Sequence, residues 1–118
     1  MRPPINQGQD LEIGMKDDPG PEPRYKWTYT WPGENHQDYV GYDGDRQIGR
    51  IFFDAAGPTK GLWRWASGTI KEAKKRGPMP HNGYKPSARL AAQAVEDHYE
   101  ARMQENNLSY GHGKRNVK

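Results

Sequence analysis

The stretch DYVGYDGDRQIGRIFFD, residues 38–54, reads as two strands folded about a tight turn. Asp43-Gly44-Asp45 divides a strand near 38–43 from another over 46–54, and Gly44 supplies the positive φ that short hairpin loops require. Gly49, inside the second strand, predicts a bulge or the close approach of a bulky neighbour. A hairpin cannot persist alone, so the flanking segments must supply further strands or a covering helix.

On the N-terminal side, Tyr25, Trp27, Tyr29 and Trp31 alternate with Lys26, Thr28 and Thr30 up to Pro32-Gly33. That period of two is the mark of a strand with one buried face. On the C-terminal side, AAGPTKG reads as a loop and LWRWAS, residues 62–67, as the last strand. Trp63 and Trp65 then share one face and Arg64 points to the other. In a chain this short of Leu, Ile and Val, both tryptophans are expected in the core. The functional alternative is a stacking platform, and a sheet this small leaves one aromatic row partly exposed.

Thr69 stands three residues before Glu72, and Gly77 precedes Pro78, which predicts a short helix over TIKEAKKRG. PMPHNGYKP reads as irregular. SARLAAQAVEDHYEARMQENN, residues 87–107, is the clearest helix: Ser87 is a good N-cap, and Ala88, Ala91, Ala92, Val95, Tyr99 and Met103 recur on one side. Glu96, Asp97, Glu100 and Arg102 are expected largely off that face. Alanines let such a helix sit close to a sheet whose bulk comes from Trp and Tyr. The expected fold class is therefore α+β, a small antiparallel meander of three or four strands packed against one long C-terminal helix, with extended N- and C-terminal arms.

Five prolines and few large apolar groups make residues 1–24 an extended or disordered arm, with LEIGM as its sticky spot. The small α+β domain is expected over 25–105, and a flexible basic tail over 106–118. Among 118 residues, 32% are hydrophobic and none is cysteine, so disulfide frameworks and thiolate metal sites are excluded. No apolar run reaches the length of a membrane span and the N-terminus lacks a signal-peptide core, which predicts a cytoplasmic protein.

Charge is unevenly spread. The chain carries +3 overall, yet residues 60–89 alone sum to +7. Lys60, Arg64, Lys71, Lys74, Lys75, Arg76, Lys85 and Arg89 are the candidate nucleic-acid-binding residues, because cations so grouped neutralise phosphates and release counterions. On a helix over 70–76, Lys71, Lys74 and Lys75 share a side. The tail cations Lys114, Arg115 and Lys118 would add to the same field. The competing reading is an ordinary solvated surface.

Catalytic patterns are missing. His36, His81, His98 and His112 show no metal-ligand spacing, and GYDGDRQIG lacks the strand, glycine loop and helix order of a phosphate loop. His98, within EDHYE, reads as a helix-surface or boundary residue. No enzyme, catalytic residue, metal or cofactor is expected.

From about 38 to 103, Tyr39 and Tyr42, the glycine hairpin, IGRIFFD, Trp63 and Trp65, then Gly83 and Ser87 leading into an Ala-rich helix with Glu96, follow one order. That order resembles short uncharacterised bacterial and phage proteins with three strands followed by a helix. More distantly it is similar to the integrase N-terminal arm-type modules, whose small sheet lies in a DNA groove. The resemblance covers little over half the chain, carries no site residues across, and is interrupted by the insertion from Thr69 to Pro86. The expected function is a non-enzymatic accessory domain that contacts nucleic acid through its basic segment beside an aromatic sheet. The alternative is a protein–protein interaction component or inhibitor of a larger assembly, phage-related assemblies included. No membrane partner is expected.

Overall fold

The computed structural model describes residues 18–31 and 37–109. LEIGM, Pro32-Gly33, His36, His112, Lys114, Arg115 and Lys118 lie outside them. The described elements are β1 (Lys26–Tyr29), β2 (Asp38–Asp43), β3 (Arg46–Phe53), β4 (Trp63–Ser67), β5 (Asn82–Lys85) and α1 (Ala88–Asn106). The five strands form one sheet in sequential order, every neighbouring pair antiparallel.

The 38–54 hairpin forms as expected, with Gly44 at φ 65° in its two-residue loop. Gly49 shows both of its predicted features. The β2–β3 register slips between Gly41 and Tyr42, leaving Ile48 as an extra residue on β3. A Cβ at Gly49 would also stand 2.5 Å from Val95 Cγ1, so the missing side chain lets α1 settle onto the sheet.

Two expected elements differ. The sheet has five strands, not three or four, because NGYK pairs with β4 instead of remaining irregular. Its Asn-Gly and flanking prolines disfavour a strand locally, but Gly83 lies where a Cβ would meet the Trp65 indole at 2.9 Å, and the bare backbone accommodates the ring. Trp27 lies over Gly41 in the same manner, at 2.8 Å. The short helix over TIKEAKKRG is absent. Residues 69–81 form a loop with one turn, closed by Ala73 N–H donating to the Ile70 carbonyl at 3.1 Å, and Ile70 is buried. Helices this short are marginal. Here the backbone bonds elsewhere: Lys75 N–H donates to Asn106 Oδ1 at 2.9 Å, and the Lys75 carbonyl accepts from Asn106 Nδ2 at 3.0 Å.

α1 begins as read, with Ser87 Oγ accepting from Leu90 N–H at 3.2 Å, and ends at Asn107 in the left-handed region at φ 55°. It lies over β3 and β4 and reaches β5. Ala88, Ala91, Ala92, Val95, Tyr99 and Met103 are buried as expected, against Tyr25, Trp27, Tyr39, Ile51, Trp63 and Trp65. Trp63 and Trp65, 8% and 5% exposed, belong to the core. Trp63 stacks on Tyr39 with ring centroids 5.9 Å apart. Each such ring removes on the order of 150–250 Å² from water, which lets a core this poor in aliphatic residues suffice.

The helix buries more than its apolar stripe. Glu96, His98 and Arg102 are buried as well, contrary to the reading that placed Glu96 and Arg102 largely off the core face and His98 at the helix surface or boundary. Residues 18–24 and the 69–81 loop cover the flanks of α1, which accounts for the difference. Ser87 Oγ–H donates to the Pro19 carbonyl at 2.7 Å, Ala88 N–H to Asp18 Oδ2 at 3.1 Å, and Arg24 Nη2 to Asp97 Oδ1 at 2.7 Å. On the other flank, His98 Nε2 meets the Pro78 carbonyl at 3.0 Å. No helix among the described residues is long and apolar enough to cross a membrane.

Candidate nucleic-acid interface

Because α1 covers one face of the sheet, register decides what the other presents. Side chains of residues paired directly across antiparallel strands share a face. Tyr39, Ile51 and Trp65 form one paired row on the helix side, so their chain neighbours face away. The outward rows follow: Asp38, Phe52, Arg64 and Tyr84 in one, and Val40, Arg50, Ala66 and Asn82 in the next. β1 adds Lys26 and Thr28, paired with Tyr42 and Val40.

Arg64 is thus flanked by Phe52 and Tyr84, with its guanidinium carbon 5.9 Å from the Tyr84 ring centroid. Tyr84 is 41% exposed. Arg50 stands 5.1 Å from the Phe52 ring centroid and is also tied to Asp38, at 2.8 Å from Nε and 2.5 Å from Nη2. Burial would raise the Asp38 carboxyl, but the hydrogen bonds from Arg50 and Thr30 more than offset it and hold the group below the ordinary carboxylate range. Asp38 therefore neutralises Arg50, whereas Arg64 has no ion pair among the described residues. Of the two outward arginines, only Arg50 is paired with a carboxylate among the described residues.

The eight predicted cations do not gather on one surface. Arg64 is on the outward face, and Lys85, paired with Trp63, belongs to the helix side at the edge strand. Lys60 is exposed in the β3–β4 loop. Arg89 is on the first turn of α1, where Nη1 donates to the Gly20 carbonyl at 3.3 Å. Lys71, Lys74, Lys75 and Arg76 are exposed on the 69–81 loop, which runs against the C-terminal half of α1. Without a helix over 70–76, the shared side expected for Lys71, Lys74 and Lys75 does not arise.

Sequence reading missed Phe52 and Tyr84 as partners of Arg64. The signal was available once Trp63 and Trp65 were assigned to the core, since Arg64 must then face outward with its cross-strand neighbours. Only the pairing of NGYK, which local propensity disfavours, brings Tyr84 beside it.

The buried acids are held in structural bonds. Glu96 Oε2 accepts from Arg24 N–H, Tyr25 N–H and Trp27 Nε1–H at 2.9, 3.0 and 3.0 Å. Burial pushes its carboxyl above the ordinary range, against the donors and Arg24, which favour the charged form. Asp43 accepts from the Tyr99 hydroxyl, which in turn accepts from Arg46 Nη1 at 2.9 Å. This fastens the hairpin tip to the helix. Among the described residues, no three His, Asp or Glu side chains gather as a metal site would need.

Compared with protein-family models, with curated proteins and with solved structures, the chain matches none.

Proposed function

We propose that the chain is a non-enzymatic accessory domain that contacts nucleic acid through the outward face of its sheet. The observation that carries this reading is the Phe52, Arg64, Tyr84 row, in which Arg64, without an ion pair among the described residues, stands beside the Tyr84 ring. Stacking of bases on exposed rings contributes about 1–3 kcal/mol per base and tolerates any sequence, while the guanidinium attracts the phosphate backbone. Aromatic contact falls to Phe52 and Tyr84 rather than to Trp63 and Trp65, which belong to the core. Lys71, Lys74 and Lys75 add a phosphate-attracting field from a neighbouring loop. Burial of Glu96 and Asp43 in structural bonds supports a binding role over a catalytic one.

The test is fluorescence anisotropy of a labelled single-stranded oligonucleotide titrated with the full chain at low and physiological salt. Binding should weaken steeply with salt. Tyr84→Ala should reduce affinity about tenfold, in line with loss of one stacked base. Charge reversal at Lys74 and Lys75 should reduce affinity and flatten the salt slope. Affinity unchanged in both variants would reject the reading.

A second reading, a component of a larger protein assembly, is favoured by Trp31, which is 52% exposed just beyond β1. A large apolar ring at the sheet edge suits a protein contact better than a phosphate backbone.

A further inference from the structure

A cleft opens beside the end of β4, apart from the Phe52, Arg64 and Tyr84 row. Ala66, Ser67, Gly68, Thr69, Arg76, His81, Asn82 and Arg102 line a cleft of about 400 Å³ where β4 and β5 meet the 69–81 loop and the C-terminal half of α1.

Two cations converge there with no carboxylate in the lining. Arg102, only 9% exposed, donates from Nη1 to the Gly68 carbonyl at 2.9 Å and from Nε to the Lys75 carbonyl at 3.3 Å. These bonds fix the guanidinium without cancelling its charge, and it has no ion pair among the described residues. Burial, and the charge of Arg76 beside it, lower the Arg102 pKa from its ordinary value. A buried cation facing a like charge is costly, and an anion placed between the two relieves both terms. Gly77, at φ 84°, brings the loop onto the helix: a Cβ there would stand 3.1 Å from Arg102 Cβ and 3.2 Å from His98 Nε2.

We infer that this cleft binds a small phosphomonoester, with Arg102 and Arg76 holding the phosphate and Ser67, Thr69 and Asn82 facing a hydroxylated organic group. Guanidinium forks match phosphate oxygens in geometry and charge. A volume near 400 Å³ falls within the range of small-molecule sites and exceeds the need of a bare tetrahedral anion. The lining supplies hydroxyl and amide groups in place of a hydrophobic wall, which selects a polar organic moiety such as a sugar. Neither Arg64 nor Tyr84 takes part, so the inference stands apart from the nucleic-acid reading.

The test is calorimetric titration of the full chain with ribose 5-phosphate, inorganic phosphate and ribose at matched ionic strength. Ribose 5-phosphate should saturate one site, inorganic phosphate should bind it more weakly, and ribose should give no saturable heat. Arg76→Ala, an exposed position whose loss leaves the fold intact, should weaken ribose 5-phosphate at least tenfold, with unchanged circular dichroism. Arg102→Lys retains the charge but loses the fork and should also weaken it. Inorganic phosphate binding as tightly as the ester would overturn the assignment of the organic half. Absence of saturation by either phosphate at millimolar concentration, or equal affinity in Arg76→Ala, would overturn the site.

Discussion

The indole Nε1 of Trp27 donates to Glu96 Oε2 at 3.0 Å, joining β1 to the middle of α1 across 69 residues of chain. The same oxygen takes the backbone N–H groups of Arg24 and Tyr25, so one carboxyl satisfies three donors as the chain enters the sheet. Glu96→Leu removes the acceptor and leaves these donors without it; a loss of about 3 kcal/mol is expected in urea unfolding, given that each buried unsatisfied group costs roughly 1–3 kcal/mol. Glu96→Gln retains a carbonyl oxygen at similar volume and should lose about 1 kcal/mol. Equal losses for the two variants would refute the hydrogen-bond account.

Close packing at Gly49 gives a second expectation. A methyl group there meets Val95 Cγ1 at 2.5 Å and the Ala66 carbonyl oxygen at 2.6 Å, one movable and one part of the sheet backbone. Gly49→Ala should therefore destabilise by about 1–3 kcal/mol, the usual cost of overpacking. Adding Val95→Ala should recover only part of that loss, because the carbonyl contact remains. Full recovery in thermal melts of the double variant would show that the helix alone sets the constraint.

These two contacts mark how far the fold was legible in the sequence. The hairpin, the alternating aromatics of β1 and the capped helix are local patterns, and each was readable from a few adjacent residues. Buried Glu96 and outward Tyr84 were not. A glutamate in the middle of a helix reads as solvated until the donors of Arg24, Tyr25 and Trp27 arrive from the far end of the chain, and NGYK reads as irregular until β4 offers it a partner. The candidate site divides in the same way. Arg64 was legible by strand alternation, whereas the Arg76 and Arg102 pair required the 69–81 loop to forgo its helix and lie on α1.

At Lys75 that loop is clamped to the end of α1 by one side-chain amide. Asn106 Oδ1 accepts from Lys75 N–H, while its Nδ2 donates to the carbonyls of Lys75 and Arg102, at 3.0 and 2.8 Å. Asn106→Ala should free the Lys75 amide, raising its hydrogen-exchange rate sharply while global stability falls by only about 1 kcal/mol. Unchanged exchange at Lys75 would place the anchor of the loop elsewhere, at Ile70 or at the contact between Gly77 and Arg102.

His98 makes stability depend on pH. Its Nε2 faces the Pro78 carbonyl at 3.0 Å and acts as the donor, leaving Nδ1 buried with no hydrogen-bond partner among the described residues. Protonation would place a second N–H in that dry position, close to His81, whose ring centroid is 5.2 Å away, and near Arg102. Burial, reinforced by His81 and Arg102 and opposed by the Pro78 bond and Glu105, lowers the His98 pKa below its ordinary value. The unfolded chain then binds the proton first as pH falls. Stability should be full above the unfolded value of about 6.5, decline as pH drops below it, and level off once the folded state also protonates. Unfolding free energies measured from pH 7.5 to 5 should show that decline, and His98→Gln should flatten it. A stability that stays constant in the wild-type chain across this interval would mean that the His98 ring accepts its second proton without cost.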